Sequence, residues 1–335
     1  MSHDNLKDVC RSWEGMLSNP HFYEDRTISG TSEQLICYIQ KDPKAANNNF
    51  ASFGCVITIY DPLNSTWKRL TPCIDDPHFP GSISLFSRCV AVNRKLVLIT
   101  GLAPPNINVN SVYIYDFESA RWRRGADMPT PRFNFACSVD LSNGLVYVAG
   151  GMDETYYPLA AAETYNAEED KWEILPPMLQ EHGVGCHGVI LEGKFIVLSG
   201  GKFDDSAQVF NPSAGSWTRW EDIWGLNDDL WSSCLAVTSS GNLYVFSEEQ
   251  QEVMKYDPKN NVWTSVASFP RPIYFLKCAT EWRDWIFVST CNLINQKQMA
   301  YLFNPSTGKW IKLNDDGGDE EGFLRMIVCA TTVQI

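Results

Sequence analysis

The chain contains no apolar run approaching the ~18 residues of a membrane-crossing helix, and its opening residues MSHDNLKDVC lack the apolar core of a secretory signal. These two absences predict a cytoplasmic protein, a nuclear one or both, with no membrane partner. Basic residues are scarce: 27 Lys and Arg stand against 40 Asp and Glu, for a net charge of −13. Nucleic-acid binding needs clustered Lys and Arg, so nucleic acid is not the expected partner. Acidic groups such as Glu168-Glu169-Asp170, Asp228-Asp229 and 315–321 read first as solvated turns and second as attractants for a basic partner. The 11 cysteines are an odd number with no C-x-x-C pair, which predicts reduced thiols rather than a disulfide framework or a zinc site.

Catalytic signals are thin as well. Of the 5 histidines, only His182 and His187 fall near a repeat's inner strand, and no Ser-His-Asp or metal-ligand spacing accompanies them. The segment Gly183-Val184-Gly185-Cys186-His187-Gly188 fits G-x-G-x-x-G. It leads into the β-run 189–198, whereas a pyrophosphate needs a helix N-terminus there. No cofactor is expected, and the chain does not read as an enzyme.

What the chain does have is a repeat. Six times an aromatic residue precedes Asp or Asn, with Trp six positions further on. The copies are Tyr60-Asp61…Trp67, Tyr115-Asp116…Trp122, Tyr165-Asn166…Trp172, Phe210-Asn211…Trp217, Tyr256-Asp257…Trp263 and Phe303-Asn304…Trp310. The Trp spacings of 55, 50, 45, 46 and 47 residues match the length of a four-stranded propeller blade. The Asp or Asn is expected to start a turn by bonding the local backbone, and the Trp to begin a fourth strand and pack between blades.

Residues 133–175 show one unit well: FNFACSVD, the turn Ser142-Asn143-Gly144, LVYVAGG, AAETYN, the turn AEED, and KWEIL. The first repeat lacks an opening strand, while LRMIVCATTVQI at the end is one strand left over. Pairing the two closes a ring and removes two sheet edges, which predicts six blades of four strands. Cys89, Cys137, Cys186, Cys234, Cys278 and Cys329 recur on the innermost strands. They read as small buried residues, on strands too far apart for a shared metal or for disulfides.

The double glycines Gly150-Gly151 and Gly200-Gly201, the Y-D…W pairs and Met128-Pro129-Thr130-Pro131-Arg132 resemble kelch repeats. The resemblance implies an all-β, six-bladed kelch-type β-propeller over 33–335. Ahead of it, Leu6, Val9, Cys10, Trp13 and Leu17 share one face of a helix, so residues 1–30 form a second, helical segment. NLKDVCRSWEGMLSNPHFY followed by TSEQLICYIQ resembles the second half of an F-box leading into the propeller of plant F-box/kelch-repeat proteins.

That family implies a substrate-recognition subunit of an SCF-type ubiquitin ligase. Leu6, Val9, Trp13 and Leu17 would meet a Skp-type adaptor coupled to a cullin. The propeller would hold a target such as phenylalanine ammonia-lyase or a cytokinin response regulator for ubiquitination and proteasomal degradation. The F-box's opening Leu-Pro segment and first helix are absent before Met1, so weak adaptor binding by this chain is expected. A kelch scaffold without ligase coupling and a kelch-propeller oxidase or epimerase remain the alternatives.

Strand alternation puts the second-to-third-strand loops and the blade-to-blade connections on one face. The long connections all fall in those two classes, and long loops on a rigid scaffold carry recognition. Their aromatics and arginines supply the candidate substrate contacts: Arg132, Phe133, Tyr156, Tyr157, Trp224, Trp231, Arg271, Tyr274 and Arg325. Trp220, Trp282 and Trp285 lie within strands and are assigned to the core.

Overall fold

The computed structural model describes residues 33–41, 55–70, 87–101, 110–183, 185–198, 207–221, 233–271, 273, 276–291, 298–313 and 327–335. Among these residues the chain is all-β, with no helix. The helix expected near the N-terminus lies outside them.

Strands β1 (Gln34–Lys41), β2 (Cys55–Asp61) and β3 (Thr66–Leu70) begin the first blade. The second contains β4 (Arg88–Val92), β5 (Lys95–Ile99), β6 (Val112–Asp116) and β7 (Arg121–Gly125). The third contains β8 (Ala136–Asp140), β9 (Leu145–Ala149), β10 (Ala162–Asn166) and β11 (Lys171–Leu175). The fourth contains β12 (His187–Leu191), β13 (Lys194–Leu198), β14 (Ala207–Asn211) and β15 (Ser216–Trp220). The fifth contains β16 (Cys234–Val237), β17 (Leu243–Ser247), β18 (Glu252–Asp257) and β19 (Val262–Ser268). The sixth contains β20 (Leu276–Trp282), β21 (Trp285–Cys291), β22 (Gln298–Asn304) and β23 (Lys309–Leu313), and β24 (Ile327–Gln334) follows it.

Strand β24 does not stay with the sixth blade. It pairs antiparallel with β1, from Gln34↔Gln334 to Gln40↔Ile327 with a bulge after Ile39, so the first sheet runs β24-β1-β2-β3. Glu33 and Ile335 exchange two backbone hydrogen bonds of 2.8 Å just beyond the ladder. The inner strands β24, β4, β8, β12, β16 and β20 each pack on the next, and β20 meets β24 again. The six sheets therefore form the closed propeller expected from the unpaired strands at the two ends of the repeat.

The repeat motif performs the work read from the sequence. In all six copies the Asp or Asn Oδ1 accepts a backbone N–H two residues on, for example Glu118 N to Asp116 at 2.9 Å and Ser306 N to Asn304 at 3.1 Å. This local bond turns the chain between third and fourth strands. The following Trp then lands opposite its own aromatic, as in Tyr165↔Trp172 and Phe303↔Trp310, with ring centroids 4.8 and 4.7 Å apart.

Three indoles also reach the blade before. Trp172 donates to Ala126 O at 2.9 Å, Trp217 to Pro176 O at 2.8 Å and Trp310 to Ser268 O at 3.2 Å. Each aromatic thus buries apolar area between blades and keeps its one polar group satisfied. The second strands, such as KLVLI of β5 and KFIVL of β13, are continuous apolar runs because a neighbouring blade covers each face.

The first pair of kelch glycines is required by backbone conformation. Gly150 and Gly151 sit at φ 64° and 87°, and a Cβ on Gly151 would lie 2.6 Å from the Phe133 carbonyl oxygen. Gly151→Ala is expected to cost roughly 1–3 kcal/mol through strain and displacement of that carbonyl. A lowered urea midpoint at unchanged slope would register it.

One sequence expectation is corrected here. Inner-strand cysteines are not all too far apart to pair: Cys89 Sγ on β4 lies 3.2 Å from Cys329 Sγ on β24, because these two strands pack directly at the ring closure. Cys37, Cys89, Cys137, Cys186, Cys234, Cys278 and Cys329 are free thiols.

Candidate partner-binding face

The loop face is best defined at the third blade, where three connections lie hydrogen-bonded side by side. Phe133, just before β8, exchanges backbone bonds of 3.0 and 2.9 Å with Met152 in the β9–β10 loop. Beyond it, Gly151 N donates to His182 O at 2.8 Å, and His182 N donates to Leu159 O at 3.1 Å. Met178 N reaches Ala160 O at 2.8 Å. The β11–β12 connection is thereby stitched to the β9–β10 loop. Two loops that satisfy each other's backbone this way lose little entropy on binding a partner.

The tip of the β9–β10 loop is built by Asp153. Its Oδ1 accepts the N–H groups of Thr155 at 2.8 Å and Tyr157 at 3.0 Å, and the Thr155 hydroxyl at 2.7 Å. These bonds, led by the Thr155 hydroxyl, hold the carboxyl below the usual carboxylate value. Tyr156 takes φ 66°, and its ring meets Phe133 edge-on at 5.3 Å. Tyr156 and Tyr157 remain 63% and 70% exposed, which is high for aromatics with no solvent-facing duty.

The neighbouring loop carries a contact that the sequence reading missed. Leu179 is 62% exposed, held out by buried Gln208 of β14. Gln208 Oε1 accepts Leu179 N at 2.6 Å and Gln180 N at 3.2 Å, while its Nε2 donates to Gln180 O at 2.9 Å. The two accepted bonds fix the amide's orientation, so Nε2 also donates to His182 Nε2 at 2.6 Å and the imidazole proton sits on Nδ1. His182 is therefore a loop anchor. The remaining signal for Leu179 was an apolar residue alone in the polar run LQEHG. Around these apolar side chains, Glu154 and Glu181 are exposed carboxylates.

Two candidate contacts are corrected by burial. Arg132 is 1% exposed and Phe133 2%. Arg132 Nη2 pairs with Glu163 of β10 at 2.8 Å, and Nη1 donates to Gly150 O at 3.0 Å and Ala161 O at 2.6 Å. Its Nε reaches Thr130 O at 3.2 Å, and the Thr130 hydroxyl donates to the other Glu163 oxygen. Burial pulls the guanidinium below its ordinary value, against the opposing pull of Glu163. Arg132 ties loop to blade from inside, and Phe133 supports Tyr156 from beneath.

Arg271 is exposed on the connection between the fifth and sixth blades. Trp224, Trp231, Tyr274 and Arg325 lie outside the described residues, as do Leu6, Val9, Trp13 and Leu17. Trp282 is buried, and its indole donates to Gln34 O at 2.8 Å across the ring closure. The inner strands surround a channel of about 600 Å³. Among the described residues no three His, Cys, Asp or Glu side chains are grouped to hold a metal ion.

The F-box/kelch-repeat protein At2g44130 of Arabidopsis thaliana is 31% identical over 258 residues, covering 67% of this chain and 61% of its own length. At1g80440 and At1g15670, F-box/kelch-repeat proteins of the same plant, are 29% and 27% identical and cover 93% and 92% of this chain. Those two alignments take in 90% and 88% of the relatives' own lengths. Residues 58–331 match the family model described as the FKB95 kelch-repeats domain, which spans five full blades and part of the first, and this chain belongs to that kelch-repeat family.

Proposed function

We propose that this protein is the substrate-recognition subunit of an SCF-type ubiquitin ligase, non-catalytic itself, whose propeller captures a target protein for degradation. The observation that carries the reading is the braced loop pair of the third blade, presenting Tyr156, Tyr157 and Leu179 to solvent. Rigid aromatic and aliphatic side chains on immobilised backbone are what interface centres use. The relatives' names as F-box proteins supply the ligase coupling, with residues 1–30 as the segment that meets a Skp-type adaptor and its cullin. The carboxylates of Glu154 and Glu181 beside the apolar tip suit a target patch that is apolar with Lys or Arg at its edge.

Following the resemblance, phenylalanine ammonia-lyase is the first target to test and a response regulator the second. Affinity purification under proteasome inhibition should recover the target together with a small, weakly held amount of adaptor. The double substitution Tyr156→Ala/Tyr157→Ala should weaken target capture by about 2 kcal/mol, roughly thirtyfold, while adaptor recovery and melting temperature stay unchanged. Lys259→Ala in a turn and Lys309→Ala at the start of β23, both on the opposite face, should leave capture intact. Capture lost through the lysine substitutions and kept by the tyrosine pair would place the target on the wrong face for this reading. Target recovery without any adaptor would instead favour a kelch scaffold outside a ligase.

A further inference from the structure

The ring is completed by hydrogen bonds between β1 and β24, and by packing between β24 and β4. At that second seam Cys89 and Cys329, 240 residues apart in sequence, bring their sulfurs to 3.2 Å. A disulfide needs about 2.05 Å, so a closing movement of roughly 1.1 Å is enough. Ala91 N, on the same strand as Cys89, donates to Thr331 Oγ1 at 3.2 Å, holding β4 and β24 in this alignment. Both cysteines line the central channel and are 5% and 8% exposed. A small oxidant such as hydrogen peroxide can reach them from the channel.

We propose that Cys89 and Cys329 form a peroxide-responsive disulfide that fastens the closing strand to the second blade. The two thiols are not equivalent. Burial alone would raise Cys329, but the hydrogen bond from Cys89 and the nearby Arg88 guanidinium outweigh it and bring this thiol below its ordinary value. Cys89 is pushed well above it, first by that same bond and then by burial.

Either sulfur of this contact can open the reaction, and with Cys329 attacking it balances. The Cys329 thiolate displaces hydroxide from hydrogen peroxide and becomes a sulfenic acid, the hydroxide taking up the proton that the thiol released. Cys89 then attacks the sulfenic sulfur, the S–O bond breaks, and a second water leaves with the Cys89 proton. One peroxide is reduced, two thiols are oxidised, and two waters are produced. A small-molecule dithiol supplies the reverse electrons, its own sulfurs closing to a disulfide as the two protein thiols are restored.

The other channel thiols differ in this respect. Burial pushes Cys137 and Cys278 up to about 12, Cys186 to about 11 and Cys234 well above its ordinary value, and among the described residues none of them has a second sulfur in hydrogen-bonding contact. Cys37 on β1 is fully buried, its thiol likewise raised by burial.

The test uses the full chain, reduced and then exposed to hydrogen peroxide at graded concentration. Proteolysis without reductant and mass spectrometry should show a Cys89–Cys329 linked peptide, with two titratable thiols lost before any other. The oxidised protein should melt about 3–6 °C higher, and the rise should disappear with reductant. Cys278→Ala should leave the link unchanged, while Cys89→Ala should stop the reaction at a sulfenic acid on Cys329 that a dimedone-type probe labels. Peptide mapping of the unsubstituted chain decides the matter even if a variant folds poorly. Cys329 linked to Cys37 or Cys278, or oxidised to sulfinic acid without a link, would overturn the proposal.

Discussion

Removal of residues 324–335 should abolish the cooperative fold. The deletion takes away β24 and with it a ladder running from Gln34 to Gln40, together with the buried side chains of Cys329 and Val333. Each buried apolar side chain contributes roughly 1.5–3 kcal/mol, and each ladder hydrogen bond about 0.5–1.5 kcal/mol net. Those losses together match the ~5–15 kcal/mol total stability of an ordinary domain. Contacts across both seams would go as well: the Thr331 hydroxyl that receives Ala91 N, and the Thr332 hydroxyl that donates to Glu281 O. The bare edge of β1, with Ile36 and Tyr38 fully buried in the intact ring, would become a template for aggregation. Size-exclusion chromatography and thermal melting should find soluble aggregates with no sharp transition. A monomeric deletion protein with one steep melt would show that the first blade holds with three strands.

The second large effect is expected from Arg132→Ala, at about 3–5 kcal/mol of lost stability. The substitution leaves the Glu163 carboxylate charged and without its guanidinium partner in a place that is 1% exposed. The carbonyls of Gly150 and Ala161 lose their side-chain donor too. Arg132→Lys should lie between the two, since an ammonium keeps the charge but cannot reproduce a fork that meets four oxygens. Arg132→Met combined with Glu163→Leu should regain part of the loss by removing both charges together. Urea denaturation at constant slope measures all three. If Arg132→Ala left the midpoint unchanged and removed only target binding, Arg132 would be a surface contact after all.

The contrast between these two predictions shows what kind of information the sequence carries. Ring closure was legible because a missing strand and a surplus strand are features of the pattern itself. The six Asx turns and the Trp register were legible for a similar reason: each is a local arrangement repeated at fixed spacing. Arg132 was misplaced because an Arg and a Phe in a connecting loop look alike whether they face water or core. Its partner Glu163 is 31 residues away, and the one available signal was a carboxylate in the middle of the apolar strand AAETYN.

The cysteine seam was misjudged for a related reason. Equivalent positions in six repeats suggest equal spacing around the axis, but the closure packs β24 against β4 closely enough to bring two sulfurs into contact. Leu179 was missed because its exposure depends on Gln208, a side chain in the next blade. Tertiary partners of this sort have no period.

The way the ring closes also sets a timetable for synthesis. Gln34 emerges first and its partner Gln334 follows about 300 residues later. At ~5–20 residues per second, the ribosome needs roughly 15–60 s to supply it. The second to sixth blades are each contiguous in sequence and can form in turn as they emerge. Throughout that interval the first sheet waits with three strands, its inner edge open to any passing strand. Yield in the cell should therefore depend on how long translation takes and on what shields β1 meanwhile, more than on the stability of the finished molecule. Slowing elongation within the last two blades should lower the soluble fraction without altering a single contact in the native protein.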